Sequence, residues 1–262
     1  MAGGRNSGQD QVMSGARHFS MPHFLGALGF LSVLPAGSRA EFNAPAMLGH
    51  FPLVGLVLGA ILAVFDSLAL LIWPAPLVGI LDAVLLILLT GGLHLDGLGD
   101  SADGLFSHQG RERALAIMKD SRIGVMALLA IVAVLAIKAG SLGALQDKRW
   151  LALVLVPGYS RLGLVFAMRF LPYGRPDGGT GQAFFSSKIQ PQAFWGLGPL
   201  ILGSLFLGWA GLALNLVFAL LVLAGIYFYR RQLGCVTGDT LGALNEVLEA
   251  GLFLLLVGML GG

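Results

Sequence analysis

Between Leu48 and Leu260 the chain repeatedly runs for about twenty residues with almost no charge, and this recurrence limits its fold more than any other feature. In lipid every backbone N–H and C=O must find a partner inside the protein, so only helices or closed barrels can cross. The runs are continuous rather than alternating, which selects helices. Composition agrees: 56% of the 262 residues are hydrophobic, 11% are charged, and the mean hydropathy is +0.82, too apolar for a water-soluble domain of ordinary composition. The 39 glycines suit helices that pack closely within a bilayer. The expected fold is an all-α polytopic bundle whose surroundings are the lipid bilayer, with no nucleic-acid partner. An oligomer is compatible with such a chain and is not readable from it.

In chain order, residues 1–21 are rich in Gly, Ser and Gln and are expected to be disordered, and 22–262 form one integral membrane domain. No cleavable leader is expected, because the first apolar run starts late. That run, His23 to Leu34, is too short to span and reads as an interfacial or re-entrant helix. About six spanning helices follow, drawn from Leu48 to Trp73, Pro76 to Leu95, Gly124 to Leu145, Trp150 to Leu171, a tight hairpin of Phe194 to Trp209 with Leu212 to Tyr229, and Leu241 to Leu260. Cys235 is the sole cysteine, so an internal disulfide is excluded and a packing role is expected.

Charge distribution orients the bundle. If residues 1–47, 96–123, 169–192 and 230–246 face the cytoplasm, twelve of the sixteen Lys and Arg residues lie there, as the positive-inside bias requires. Every polar motif then falls on the cytoplasmic side of the inner membrane.

The densest motif is Thr90 to Gly104, where Asp96, Asp100 and Asp103 stand at i, i+4 and i+7 beside His94. On a helix the three carboxylates share a face. Three anions so close favour a cation between them, and oxygen ligation suits a hard ion such as Mg2+, which keeps positions for substrate phosphates. Asp239, Glu246 and Glu249 repeat helical spacing and are read as a second acidic face; Asp239 and Glu246 join the expected metal ligands. His94 could orient a ligand, act as a base or make a structural hydrogen bond. Asp66 and Asp82 read as helix-packing or interfacial charges. Lys119 and Arg122 could anchor the cytoplasmic face or bind phosphate, and Arg161, embedded in an apolar run, needs either a substrate phosphate or a carboxylate such as Asp239. Gly179-Thr180-Gly181 could cradle a phosphate with backbone N–H groups, and Thr237 lies in the polar connection before the last run.

Set in order, these motifs resemble the cobalamin synthase family, the adenosylcobinamide-GDP ribazoletransferases. The resemblance rests on Phe51-Pro52-Leu53-Val54-Gly55, on Gly91 to Leu98 with Asp100 and Asp103-Gly104, and on Ile117 to Gly124. It continues through Ser160-Arg161 and Gly179-Thr180-Gly181 to Thr237 to Ala243, and covers nearly the whole chain from Phe24. Gly99 and Ser101 stand where many relatives carry Ala and Thr. The resemblance implies a Mg2+-dependent inner-membrane transferase. In it a ribose hydroxyl of α-ribazole, or of its 5′-phosphate, attacks the phosphate on adenosylcobinamide in adenosylcobinamide-GDP; GMP leaves and adenosylcobalamin, or its 5′-phosphate, forms. Asp96, Asp100 and Asp103 would hold the ion against the pyrophosphate, Arg122 and Arg161 would stabilise charge on GMP, and His94, Asp103 or Asp239 would serve as base.

Two rivals differ in testable ways. A CDP-alcohol phosphotransferase would carry Ala-Arg after its Asp-Gly, and neither Asp96-Gly97 nor Asp103-Gly104 does. An ion-coupled transporter would spread acidic groups through the membrane depth, whereas most of these gather at one end.

Overall fold

The apolar runs become helices in a computed structural model that describes residues 19–175, 178 and 181–261. The helices are α1 (Met21–Leu31), α2 (Ala44–Met47), α3 (Phe51–Ala69), α4 (Ala75–Thr90), α5 (Leu93–Leu105), α6 (Arg111–Ile117), α7 (Val125–Ala144), α8 (Arg149–Phe170), α9 (Leu197–Leu205), α10 (Trp209–Gln232) and α11 (Gly238–Leu260). No strand occurs among the described residues; one isolated parallel bridge joins Tyr173 and Val236. Five helical stretches are long and apolar enough to cross a membrane: Ala44–Ala69, which includes α3, and α7, α8, α10 and α11. The pair α4 and α5 adds a sixth if counted as one span, but the two helices meet at 93°. Gly91 and Gly92 make that turn with φ of 62° and 73°, a left-handed conformation that side chains with a Cβ resist. We therefore read α4 as the crossing helix and α5 as lying across the end of the bundle, outside the crossing segments.

Packing is organised around α8. Its apolar window is 89% buried, against 22% for α7 and 28% for α10, which turn rows of Leu, Ile and Val outward as lipid-facing helices do. Close approach relies on glycine. A Cβ on Gly55 would fall 2.1 Å from the Pro157 carbonyl oxygen of α8, and one on Gly79 would fall 2.3 Å from the Gly143 nitrogen of α7. Such small-residue contacts let transmembrane backbones gain dispersion energy where no hydrophobic drive exists.

Three sequence expectations acquire detail. First, α1 does not span. Ser20 N–H at its start donates to His50 Nε2 (3.1 Å), and Val33 N–H just past its end donates to the Leu89 carbonyl (2.9 Å), so both ends are tied to the end of the bundle where α3 begins and α4 finishes. Second, the Phe194 to Trp209 crossing is not one helix. Only Leu197–Leu205 is α-helical, about 14 Å long against a hydrocarbon thickness of ~30 Å. The chain nonetheless passes from Trp195, beside Gly49 at the start of α3, to Phe206, whose carbonyl accepts from Lys148 Nζ (2.8 Å) at the opposite end. A 3-10 turn at Pro191–Phe194 and a turn at 195–196 make up the distance. Third, Asp66 and Asp82 are packing charges: both accept from Arg149, whose guanidinium also satisfies the Leu145 carbonyl (3.0 Å). Cys235 is buried, as a packing residue should be.

Candidate active site

The ends of α5 and α11 cross at two glycines. A Cβ on Gly97 would lie 2.7 Å from the Asp239 carbonyl oxygen, and one on Gly242 would lie 3.1 Å from the His94 carbonyl oxygen. That contact brings the Asp96 and Asp239 regions, 143 positions apart, to one cavity. The cavity holds about 180 Å3; Asp96, Asp239, His94, Tyr173 and Arg175 line one part of it, and Phe30, Phe51, Phe184, Leu164 and Met168 line another.

Each polar group is placed by a local device. Thr237 caps α11 in a reciprocal capping box: its Oγ1 accepts from Thr240 N–H (3.2 Å) and its N–H donates to Thr240 Oγ1 (2.8 Å). The cap fixes Asp239 in the first turn, where the helix dipole favours a carboxylate. Thr237 is fully buried and acts through that cap. Arg175 arrives on a loop stitched to the same region, since Gly174 N–H donates to the Val236 carbonyl (2.8 Å) and Val236 N–H to the Pro172 carbonyl (2.9 Å). From there Arg175 Nη2 donates to Asp239 Oδ2 and to the Met118 carbonyl (3.2 Å), bringing the turn that carries Lys119 alongside.

Asp100 lies one turn beyond Asp96 on α5. Its carboxyl is pushed up to about 6, first by burial and then by the negative charges of Asp239 and Asp96. Three carboxylates therefore share a field that Arg175 only partly offsets. His94 is buried, lines the cavity, and has no hydrogen-bond partner on either ring nitrogen.

The structure divides the remaining expected site residues. Asp103 does not face the cavity's carboxylates: its Oδ2 accepts from Gly124 N–H (2.6 Å) and its Oδ1 from Ala127 N–H (2.9 Å), so both oxygens cap α7. Glu246 is withdrawn into the bundle, where Oε2 accepts from Lys138 Nζ at 3.0 Å. Arg161 meets Glu249, not Asp239 and not the cavity. Arg122 is 87% exposed and pairs with Asp120, whose carboxyl its hydrogen bonds hold down to about 2. Gly181 lines the cavity, while Gly179 and Thr180 lie outside the described residues. Among the described residues, no three His, Cys, Asp or Glu side chains converge closely enough to hold a metal ion by themselves.

The comparisons with known proteins decide the family. The cobalamin-5-phosphate synthase family model matches residues 23–257. The chain belongs to the cobalamin-5-phosphate synthase family. It is 42% identical over 235 residues to a protein of Pseudomonas putida, covering 87% of this chain and 95% of the relative. It is 40% identical over 229 residues to one of Roseiflexus sp., covering 85% and 84%, and 36% identical over 230 residues to one of Geotalea daltonii, covering 85% and 92%. All three relatives are named adenosylcobinamide-GDP ribazoletransferase. No solved structure matches the chain.

Within this member of the cobalamin-5-phosphate synthase family, sequence reasoning missed Arg175 and the phenylalanine wall. Arg175 stood in a polar stretch with other charges, and nothing in its spacing tied it to Asp239. Phe30, Phe51 and Phe184 come from three separated segments, each indistinguishable from ordinary apolar packing before folding.

Proposed function

We propose that the chain is an adenosylcobinamide-GDP ribazoletransferase, joining adenosylcobinamide-GDP and α-ribazole or its 5′-phosphate with release of GMP. The observation that carries the reading is the cavity between α5 and α11, where carboxylates in excess of cations face an aromatic-walled pouch in a chain of this family. We further propose that Mg2+ is the cofactor, that one or two of Asp96, Asp100 and Asp239 hold it together with substrate phosphate, and that the site opens to the cytoplasm. The donor set supports this: three carboxylates against one guanidinium leave an unbalanced negative charge, and Mg2+ typically takes only one or two carboxylates together with substrate phosphates and water. When bound, the ion neutralises charge on the pyrophosphate.

The chain's own groups do the rest. Arg175, fixed by Asp239 and the Met118 carbonyl, presents a guanidinium edge to the pyrophosphate. His94 accepts a hydrogen bond from the attacking ribose hydroxyl and aims its oxygen at phosphorus. The P–O bond to that oxygen forms, the pyrophosphate P–O bond breaks, GMP leaves, and the hydroxyl proton departs with the products. In a loose phosphoryl-transfer transition state, positioning and charge neutralisation matter more than a strong base. Purified protein in liposomes, given adenosylcobinamide-GDP and α-ribazole, should form cobalamin and GMP in equal amounts only with Mg2+. GMP release without cobalamin, or turnover unaffected by chelation, would overturn the transferase or the metal assignment respectively.

A further inference from the structure

Three of the residues that line the cavity with the carboxylates are phenylalanines whose rings cluster. Phe30 (α1), Phe51 (first residue of α3) and Phe184 (the 3-10 turn Gln182–Phe185) meet with ring centroids 4.9 Å apart for Phe30 and Phe184, 5.5 Å for Phe51 and Phe184, and 6.1 Å for Phe30 and Phe51. Phe51 and Phe184 are almost wholly buried. Leu164 and Met168 of α8 extend the wall. None of these five side chains carries a strong hydrogen-bonding group. An apolar cavity of ~150 Å3 is enough to take up a benzene ring, and this cavity holds about 180 Å3 including its polar part. Its lining thus combines a cluster of rings with the polar groups Asp96, Arg175 and Asp239.

We propose that this aromatic part is the seat of the nucleoside substrate's base, and that it selects bases lacking polar edges, of the benzimidazole kind, over purines. The proposal rests on the ribazoletransferase reading and extends it to substrate choice. A nucleoside is an aromatic body joined to a sugar that carries the attacking hydroxyl; with the base among the phenylalanines, that hydroxyl points toward His94 and the carboxylates, where phosphorus must be attacked. Aromatic rings that share a negative face and a positive edge favour offset or edge-to-face contact with such a base. A purine's ring nitrogens and exocyclic group would give up water for a wall that offers no partner, which should cost on the order of tenfold to a hundredfold in kcat/KM. Guanine of the second substrate is excluded from this place for the same reason.

The test uses the full chain in liposomes, with Mg2+ and saturating adenosylcobinamide-GDP, and compares α-ribazole with the α-linked adenine nucleoside. Wild-type protein should prefer α-ribazole by about tenfold or more. Phe184→Ala should raise the KM for α-ribazole by about tenfold, with kcat and the KM for adenosylcobinamide-GDP nearly unchanged. Phe184→Asn should shift the base preference toward adenine. Because Phe184 is buried and its variants could lose the fold, Phe30→Leu, at a half-buried ring, provides the same reading with a smaller change. Equal kcat/KM for the two bases, or an effect confined to the KM of adenosylcobinamide-GDP, would overturn the proposal. A wild-type protein that makes no cobalamin from either nucleoside would instead overturn the transferase reading.

Discussion

Two acidic regions lie on one helix, and they differ in how their charge is balanced. On α11, Asp239 stands in the first turn, and Glu246 and Glu249 follow about 10 and 15 Å deeper. In the deep region the charges cancel. Lys138 contacts both glutamates, Arg161 contacts Glu249, and all four residues are at most 4% exposed. Around Asp239 they do not, because among the described residues Asp239, Asp96 and Asp100 have only Arg175 beside them. A buried ion pair with its counterion in place fastens helices; a surplus of one sign beside a cavity invites a ligand of the other. Balance of charge, rather than spacing of acids, separates structure from function here.

The contrast can be broken most directly from the cavity side. Asp100→Asn and Asp239→Asn should each lower GMP release by about a hundredfold to a thousandfold while the protein stays folded and membrane-inserted; a loss smaller than tenfold in both would erase the distinction. In the deep region the expected effect is on stability. Glu249→Gln leaves Lys138 and Arg161 sharing one carboxylate and should cost about 3–5 kcal/mol, read as a large drop in the unfolding midpoint in detergent, with activity per folded molecule retained. Unchanged stability would mean that the pairs do not fasten the bundle.

Asp103 tests the boundary between the two. Asp103→Ala removes the cap on α7 and should cost about 1 kcal/mol, while the Mg2+ concentration for half-maximal activity stays put. If that concentration rises as far as in Asp100→Asn, Asp103 belongs with the ligands. The smallest effect is expected at Arg122, an exposed residue paired with its neighbour Asp120. Arg122→Ala should leave the unfolding midpoint unmoved, as exposed ion pairs rarely contribute much; a tenfold loss of turnover would place this guanidinium on the substrate.

Much of this was legible before folding. The apolar runs announced the crossing helices because lipid leaves few other solutions, and the spacing of Asp96, Asp100 and Asp103 announced a helix, though Asp103 turned out to cap α7. The same periodicity misled at Glu246, since a position's angle on a helix says which face it joins but not what that face meets. Arg161 shows the same limit. A buried arginine must have a partner, but its sequence neighbourhood could not choose between Asp239, a substrate phosphate and Glu249, which it contacts. The run from Phe194 to Trp209 was long enough to suggest a span, and the broken helix there reflects turns at 195–196 and 206–208 that apolarity does not encode.

By itself the sequence determined that this protein is a helical membrane bundle, with most of its carboxylates and cations gathered at one end, in motifs resembling one family. These are properties of composition, hydrophobic period and local spacing, which act along the chain. Only the tertiary structure decided which carboxylates remain unbalanced, that Arg175 and the three phenylalanines share their cavity, and that Asp103 is spent on capping α7. Those outcomes depend on contacts between residues far apart in sequence, above all the glycine crossing of α5 and α11. Charge neutralisation and ring packing are settled by distance in space, which spacing along a helix does not supply.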